Sequence, residues 1–270
     1  MASIGRSVGH QTAVTSKDGT QIACWLSGTG PPLVLVHGTS ADHVRWGPVL
    51  PAFQEHFMVC AIDRRGRGGS GDSDTYLIER EFDDVAAVVD SFDEAVNLLG
   101  HSYGGLCALE ASLLSKNLRR LVLYEPPAVP AGVYPPGFVE RLEALIDQRR
   151  REEALVAFMT EVVKLPEAQV ELMRGLPAWQ GRIAAAHTLP REARVDESYK
   201  LDPTKFASMS VPTLILQGGD SPSFLVLSNQ AVHAALPSSR IVEMPGQQHV
   251  AMDTATELFV AEVLSFLLER

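Results

Sequence analysis

Val96-Asn97-Leu98-Leu99-Gly100-His101-Ser102-Tyr103-Gly104-Gly105-Leu106 decides how this chain is read. An apolar run suited to a strand enters Gly-x-Ser-x-Gly, and a helix-compatible stretch, Gly104–Ser115, leaves it. In that strand–turn–helix context the pattern is a nucleophile elbow. The glycines let neighbouring backbone approach without a Cβ clash. The turn lifts the Ser102 hydroxyl above the sheet edge, and the start of the helix supplies positive potential for an oxyanion. The bare pattern is common by chance, and a serine that merely caps a helix would fit it. The flanking strand and helix favour the nucleophile.

Outward from the elbow, apolar runs recur at Leu33–Val36, Phe57–Ile62, Leu118–Tyr124, Thr213–Leu216 and Arg240–Glu243. Leu33–Val36 shows no alternation, as expected of a strand buried on both faces. Helical stretches separate the runs at Trp46–Phe53, Glu79–Ser91 and Leu225–Ala235, and Thr254–Leu268 closes the chain. Alternating strands and helices predict an α/β fold with a mostly parallel sheet flanked by helices. Near the start, Lys17-Asp18-Gly19 joins Gln11–Ser16 to Gln21–Ser27 as a hairpin at the sheet edge. Between about Pro126 and Ser210 the alternation stops, leaving Pro-punctuated helical stretches such as Phe138–Gln148 and Glu152–Val163. The organisation read from this is a core of residues 1–125 and 211–270 carrying a helical cap, or lid, at 126–210. Within the cap, Arg149–Glu153 is a solvated helix face.

The bulk numbers narrow the function classes. The 270 residues suffice for one large α/β domain; 46% are hydrophobic and 21% charged, as in a folded globular chain. A net charge of −10 disfavours nucleic acid and anionic membrane surfaces as partners, although a local field inside a pocket can override it. The three cysteines, Cys24, Cys60 and Cys107, show neither disulfide nor zinc spacing. Residues 1–6 lack an apolar leader core, and no apolar run is long enough to span a membrane. The expectation is a cytoplasmic protein, monomer or homodimer, acting on a small-molecule substrate.

Two more segments carry chemistry. His37-Gly38-Thr39-Ser40 follows the strand Leu33–Val36. An oxyanion hole needs two N–H groups from different loops, here assigned to Thr39 and to Tyr103, next after the nucleophile. His37 itself reads as a buttress of its loop. Pro245-Gly246-Gln247-Gln248-His249 follows the strand Arg240–Glu243, where a general base would reach the elbow from the other side. His10, His43, His56, His187 and His233 lie on ordinary segments.

The elbow, His37-Gly38, the Asp63-Arg64-Arg65-Gly66-Arg67-Gly68-Gly69-Ser70 loop and the Gly246–His249 loop together resemble the α/β-hydrolase superfamily over nearly the whole chain except the cap. The resemblance implies an eight-stranded, mostly parallel sheet, a Ser–acid–His triad, and catalysis with no metal or organic cofactor. It makes the Asp63–Ser70 loop a fold signature, with Arg64 and Arg65 structural. The acid departs from the pattern: Ser221 occupies its usual position in Gly218-Gly219-Asp220-Ser221-Pro222, and Asp220 lies one residue early. Glu125, ending the strand Leu118–Tyr124, is the other candidate, because some members carry the acid there. It is favoured because a strand end fixes a side chain better than a loop does and a buried carboxylate needs a partner.

The expected activity is hydrolysis of a small to medium uncharged ester, or a lactone or thioester, through a Ser102 acyl-enzyme with His249 as base. Tyr134, Phe138, Phe158 and Trp179 of the cap are candidate pocket walls. Serine at the nucleophile position argues against dehalogenase and epoxide hydrolase chemistry. The same machinery also serves C–C bond hydrolysis, amide hydrolysis and perhydrolysis. A non-hydrolytic protein that binds a ligand or guides a rearrangement is the alternative, and the displaced acid is its support.

Overall fold

The computed structural model describes residues 10–129, 132 and 134–269; the N-terminal residues read for a leader lie outside them. Eight strands form one sheet: β1 His10–Thr15, β2 Gln21–Ser27, β3 Pro32–Val36, β4 Met58–Ile62, β5 Val96–His101, β6 Leu118–Tyr124, β7 Thr213–Gly218 and β8 Ser239–Met244. Their spatial order is β1-β2-β4-β3-β5-β6-β7-β8. Only the β1–β2 and β2–β4 pairs are antiparallel, so the predicted mostly parallel sheet with an antiparallel edge is present.

The central strands are covered on both faces. Val34, Val36, Leu98, Leu121, Leu123 and Ile215 enter one hydrophobic cluster, together with α2 (Ile78–Asp90) and α3 (Tyr103–Ala111). Leu33, Leu35, Leu99, Val122, Tyr124, Leu214 and Leu216 enter the other, with residues of α1 (Leu50–Gln54). Successive residues thus go to opposite faces, as the two-residue period of a strand demands. Both faces being apolar explains the absence of alternation in the sequence.

Between β6 and β7 the regular elements among the described residues are all helical: α4 Phe138–Asp147, α5 Arg151–Ala157 running into a π turn at Phe158–Val162, α6 Glu167–Arg174, α7 Trp179–Ala185 and α8 Leu189–Ser198, plus short 3₁₀ turns. A third hydrophobic cluster built around Phe138, Leu142, Leu155, Met159, Trp179 and Leu189 belongs almost wholly to this insertion. After β7 come α9 Ser223–Ala235, α10 Ala251–Thr254 and α11 Thr256–Leu267, with α9 packed into the α2–α3 cluster and α11 into the α1 cluster. Among the described residues no helix is long and apolar enough to cross a membrane.

A buried ionic network ties the insertion to the sheet domain. Arg64 donates to both oxygens of Glu81 on α2, at 2.7 and 2.8 Å, and to Glu192 on α8 at 2.5 Å. Arg67 also donates to Glu192. Arg65 makes a two-pronged contact with Asp84 and a third bond, at 3.0 Å, to Asp18 in the first hairpin. The Asp63–Ser70 loop is therefore a hub of structural ion pairs. The Arg149–Glu153 run lies at the surface, where Arg150 pairs with exposed Glu153.

The sheet order reverses at β3, whose neighbours are β4 on one side and β5 on the other. Such a switch point leaves a crevice beyond the carboxyl ends of the two strands, where open α/β sheets bind ligands. The loops after β3 and β5 hold Thr39 and Ser102.

Candidate active site

The elbow is built as its sequence requires. Ser102 has φ 55° and ψ −129°, a strained conformation for a residue with a Cβ. Its N–H is held by the Tyr124 carbonyl at 2.8 Å, and its own carbonyl accepts from Gly105 at 2.7 Å. Glycine at 100 and 104 is obligatory: a Cβ at Gly100 would lie 2.5 Å from the Gly104 oxygen, and one at Gly104 would strike the Val36 and His37 carbonyls. The chain can therefore pass from β5 into α3 only with β3 pressed against the turn. Tyr103 opens α3, so its N–H belongs to the first turn, whose donors have no intrahelical acceptor.

His249 is half of a buried pair. Its Nδ1 lies 2.6 Å from Glu125 Oε2, and the other oxygen, Oε1, accepts the Gly218 N–H at 2.7 Å. Glu125 is fully buried and adopts a left-handed φ of 48°, which turns its side chain from the end of β6 across the end of β7. Asp220, the other acid candidate, is exposed; its backbone N–H binds the Gln247 carbonyl, and its side chain is not brought to His249. The one-residue displacement seen in the sequence is thus not repaired by loop rearrangement, because the space against Nδ1 is already filled by Glu125.

Two side chains that the sequence left without a role hold the histidine loop. His101 Nε2 bonds to the His249 backbone carbonyl at 2.9 Å, so that nitrogen carries the proton. Burial and the neighbouring His249 keep the His101 pKa well below the ordinary histidine value, which leaves the ring neutral. Tyr124 donates its hydroxyl to the Gln248 carbonyl and accepts the Ala251 N–H at 3.0 Å. The only sequence signal for either was position: the variable residue of the elbow, and the last residue of a buried strand.

His37 performs the buttressing expected of it. It is completely buried, its Nδ1 bonds the Gly38 carbonyl at 2.8 Å, and its Nε2 accepts the Arg64 N–H at 3.1 Å. Burial and the nearby Arg64 cation hold its pKa well below the ordinary value.

Ser102, His249 and Thr39 are walls of the same two cavities. Both are small, about 40 Å³ each; the first adds Arg45, His101, Met159, Met173 and Arg182, the second adds Tyr134, Asp196, Phe224 and Leu225, and Phe158 faces both. Among the described residues Ser102 and His249 share no direct hydrogen bond, as is common in unliganded sites, where such bonds tighten around substrate. Of the four aromatic residues expected to line a pocket, Tyr134 and Phe158 do so. Phe138 and Trp179 do not: both sit in the insertion's own core, with Trp179 donating to Glu152 at 3.3 Å and the Arg141 guanidinium 4.8 Å above Phe138.

Three charged residues at these cavities were missed from the sequence. Asp196 accepts from the Tyr134 hydroxyl at 2.6 Å, its Oδ1 is buried without a partner, and burial raises its pKa to about 7. Arg45 and Arg182 approach Ser102 from distant parts of the chain, and no local motif marks them.

The comparisons with known proteins agree with this geometry. The sequence profile of the Alpha/beta hydrolase family matches residues 33–262. A solved α/β hydrolase from Sphaerobacter thermophilus is 37% identical, with 92% of this chain and 100% of that chain aligned and a TM-score of 0.78. The 2-hydroxy-6-oxo-6-(2'-aminophenyl)hexa-2,4-dienoic acid hydrolase of Metapseudomonas resinovorans is 26% identical over 257 residues, covering 90% of this chain and 86% of the relative. The 3-oxoadipate enol-lactonase 1 of Acinetobacter baylyi is 25% identical over 224 residues, covering 79% and 80%. A profile that spans the sheet from β3 to the last helix, over an elbow of this geometry, places the chain in the α/β-hydrolase family.

Proposed function

We propose that this chain is a serine hydrolase that cleaves small to medium-sized esters, lactones included, through an acyl-enzyme on Ser102. The observation that carries the reading is the Glu125–His249 contact of 2.6 Å, aimed at the cavity that Ser102 lines. A carboxylate accepting Nδ1–H leaves Nε2 free to take a proton, which is what an inert serine hydroxyl needs to become a nucleophile.

In the first step Ser102 Oγ attacks the ester carbonyl while His249 removes its proton. The oxyanion is held by the N–H groups of Thr39 and Tyr103, with the start of α3 behind the latter. Imidazolium, stabilised by Glu125, protonates the departing alkoxide, and water repeats the sequence on the acyl-enzyme. Residues 126–210 serve as the cap: Phe158, Met159 and Met173 close the cavity over the serine, so the ester reacts out of bulk water. The enol-lactonase relative supports an ester-type bond and the dienoic acid hydrolase a different substrate, so the bond class rests on the experiment below. With Glu125 at His249, a displaced acid no longer speaks for a non-hydrolytic role.

A neutral fluorophosphonate probe, read by intact mass, tests the proposal without knowledge of the substrate. Single labelling of wild type that is abolished in Ser102→Ala is expected, with hydrolysis of short acyl esters following the same pattern. Folded wild type that neither labels nor hydrolyses any ester of the series would overturn it.

A further inference from the structure

The cavity beside Ser102 is walled by two arginine side chains, Arg45 and Arg182, and the one carboxylate that pairs with either, Asp253, is not among its walls. Arg45, 3% exposed, donates through Nη1 to Asp253 at 2.6 Å, while its Nε and Nη2 are buried with no partner. Arg182 of α7, 7% exposed, makes no side-chain hydrogen bond or ion pair among the described residues. Unpaired buried donors on a cation are costly, and they persist where a ligand supplies the acceptors. Asp42, the other acid nearby, is engaged elsewhere: its Oδ1 accepts the Val44 N–H at 3.0 Å, and it lines a separate surface depression. Burial and the adjacent Arg45 pull the Arg182 pKa down to about 9, the response of a cation short of a counter-charge. The insertion contributes Arg182 and the sheet domain Arg45, so the pair straddles the boundary between the two parts.

We propose that Arg45 and Arg182 form a carboxylate subsite next to Ser102, so that the preferred substrates are esters bearing a carboxylate a few bonds from the scissile carbonyl. This deepens the esterase reading and rests on it, and it replaces the uncharged ester expected from the sequence. The spare Nε and Nη2 of Arg45 present the two-donor edge that a carboxylate binds in parallel, and Arg182 adds a second charge. The same cavity has Phe158, Met159, Val163, Leu165 and Met173 among its walls, apolar groups that exclude water and strengthen the attraction.

The test has a binding arm and a turnover arm. In the binding arm, calorimetry follows glutarate binding to wild type, Arg182→Gln and Arg45→Lys; the lysine keeps a cation for Asp253 and removes the two spare donors. Glutarate binding that weakens roughly ten- to hundredfold in each variant is expected for loss of charged hydrogen bonds. In the turnover arm, ethyl hydrogen glutarate, with the carboxylate in the acyl part, and 3-acetoxypropanoate, with it in the leaving group, are compared with ethyl pentanoate. At least one charged ester should exceed the neutral one in kcat/KM, and the charged-to-neutral ratio should fall about tenfold or more in Arg182→Gln. Whichever charged ester responds identifies the side of the ester that the arginines hold. Labelling of Ser102 by the neutral fluorophosphonate, combined with no glutarate binding and an unchanged ratio, would overturn the subsite while leaving the hydrolase intact. Glutarate binding that survives both substitutions would overturn it too. Absence of labelling alongside arginine-dependent binding would count against the esterase and for the subsite.

Discussion

Replacing Glu125 by glutamine exchanges one oxygen for an amino group, and the surrounding hydrogen bonds dictate where that group goes. The Gly218 N–H, 2.7 Å from Oε1, needs an acceptor, so the glutamine oxygen must stay there. The amino group is then driven against His249 Nδ1, the position now held by Oε2 at 2.6 Å. A donor facing Nδ1 forces the imidazole proton onto Nε2, and an Nε2 that already carries a proton cannot accept one from Ser102. The wrong tautomer, together with loss of the charge that stabilises the imidazolium, costs about 10³–10⁴ in turnover, or roughly 4–5.5 kcal/mol on the barrier. The left-handed backbone at Glu125 suits glutamine no worse than glutamate, so the fold should persist. The assays are the second-order rate of fluorophosphonate labelling and the hydrolysis of p-nitrophenyl acetate, with a thermal melt as the folding control. Asp220→Asn should match wild type in both. A folded Glu125→Gln enzyme within about threefold of wild type, well short of that loss, would refute the assignment of the acid.

Three other perturbations follow from the packing. Glu192→Ala strips the carboxylate from buried Arg64 and Arg67; a loss of about 3–5 kcal/mol in denaturant titration is expected, with an unshifted midpoint as the contrary result. Gly104→Ala places a Cβ 2.5 Å from the Val36 oxygen and closer still to that of His37, so Ser102 labelling should vanish and the melting temperature fall; a labelled, stable variant would mean the β3–elbow contact is looser than described. The Asp196 pKa of about 7, against an ordinary 3.8, means that the folded state keeps a proton the unfolded chain releases. Stability therefore declines as pH rises from about 4 through 7, with the loss complete above, by at most about 4 kcal/mol and by less because part of the residue reaches solvent. Asp196→Asn should flatten that decline in melts between about pH 5 and 8, and a variant as pH-sensitive as wild type would assign the titration to another group.

The sheet is legible because parallel strands buried on both faces advertise themselves as apolar runs: the sequence predicts a strand over Leu118–Tyr124, and the strand has those bounds. Helices near prolines were harder. Trp46–Phe53 reads as one helix, yet Gly47 and Pro48 split it into a 3₁₀ turn, His43–Trp46, and a short helix, Leu50–Gln54. In the insertion, Glu152–Val163 has a helical period throughout, which says nothing of the π turn at Phe158–Val162. The same limit explains Phe138 and Trp179, since periodicity marks the inward face of a helix and not whether its neighbour is core or cavity. The acid needed space to decide it: a motif offset by one residue left Glu125 and Asp220 open, and the backbone twist at Glu125 closed the question of which carboxylate meets the histidine. Arg45 and Arg182 meet only through the tertiary fold, and sequence spacing carries no trace of such a meeting.

The buried ions of the Asp63–Ser70 loop are costly by themselves, since hydrophobic replacements for such networks are often at least as stable. Their place in this fold argues for a positional use. Glu192, on the insertion, fixes the Arg64 side chain, and the Arg64 backbone N–H fixes His37 Nε2. The opposite nitrogen of His37 is thereby left to donate to Gly38, the residue before Thr39. One chain of bonds therefore runs from α8 to the loop that carries Thr39, the proposed oxyanion donor. Docking of the insertion and the placement of the Thr39 loop are set by the same atoms. A carbon–carbon core at Arg64 could supply the stability but not that coupling, because it would offer His37 the backbone bond without any link to α8.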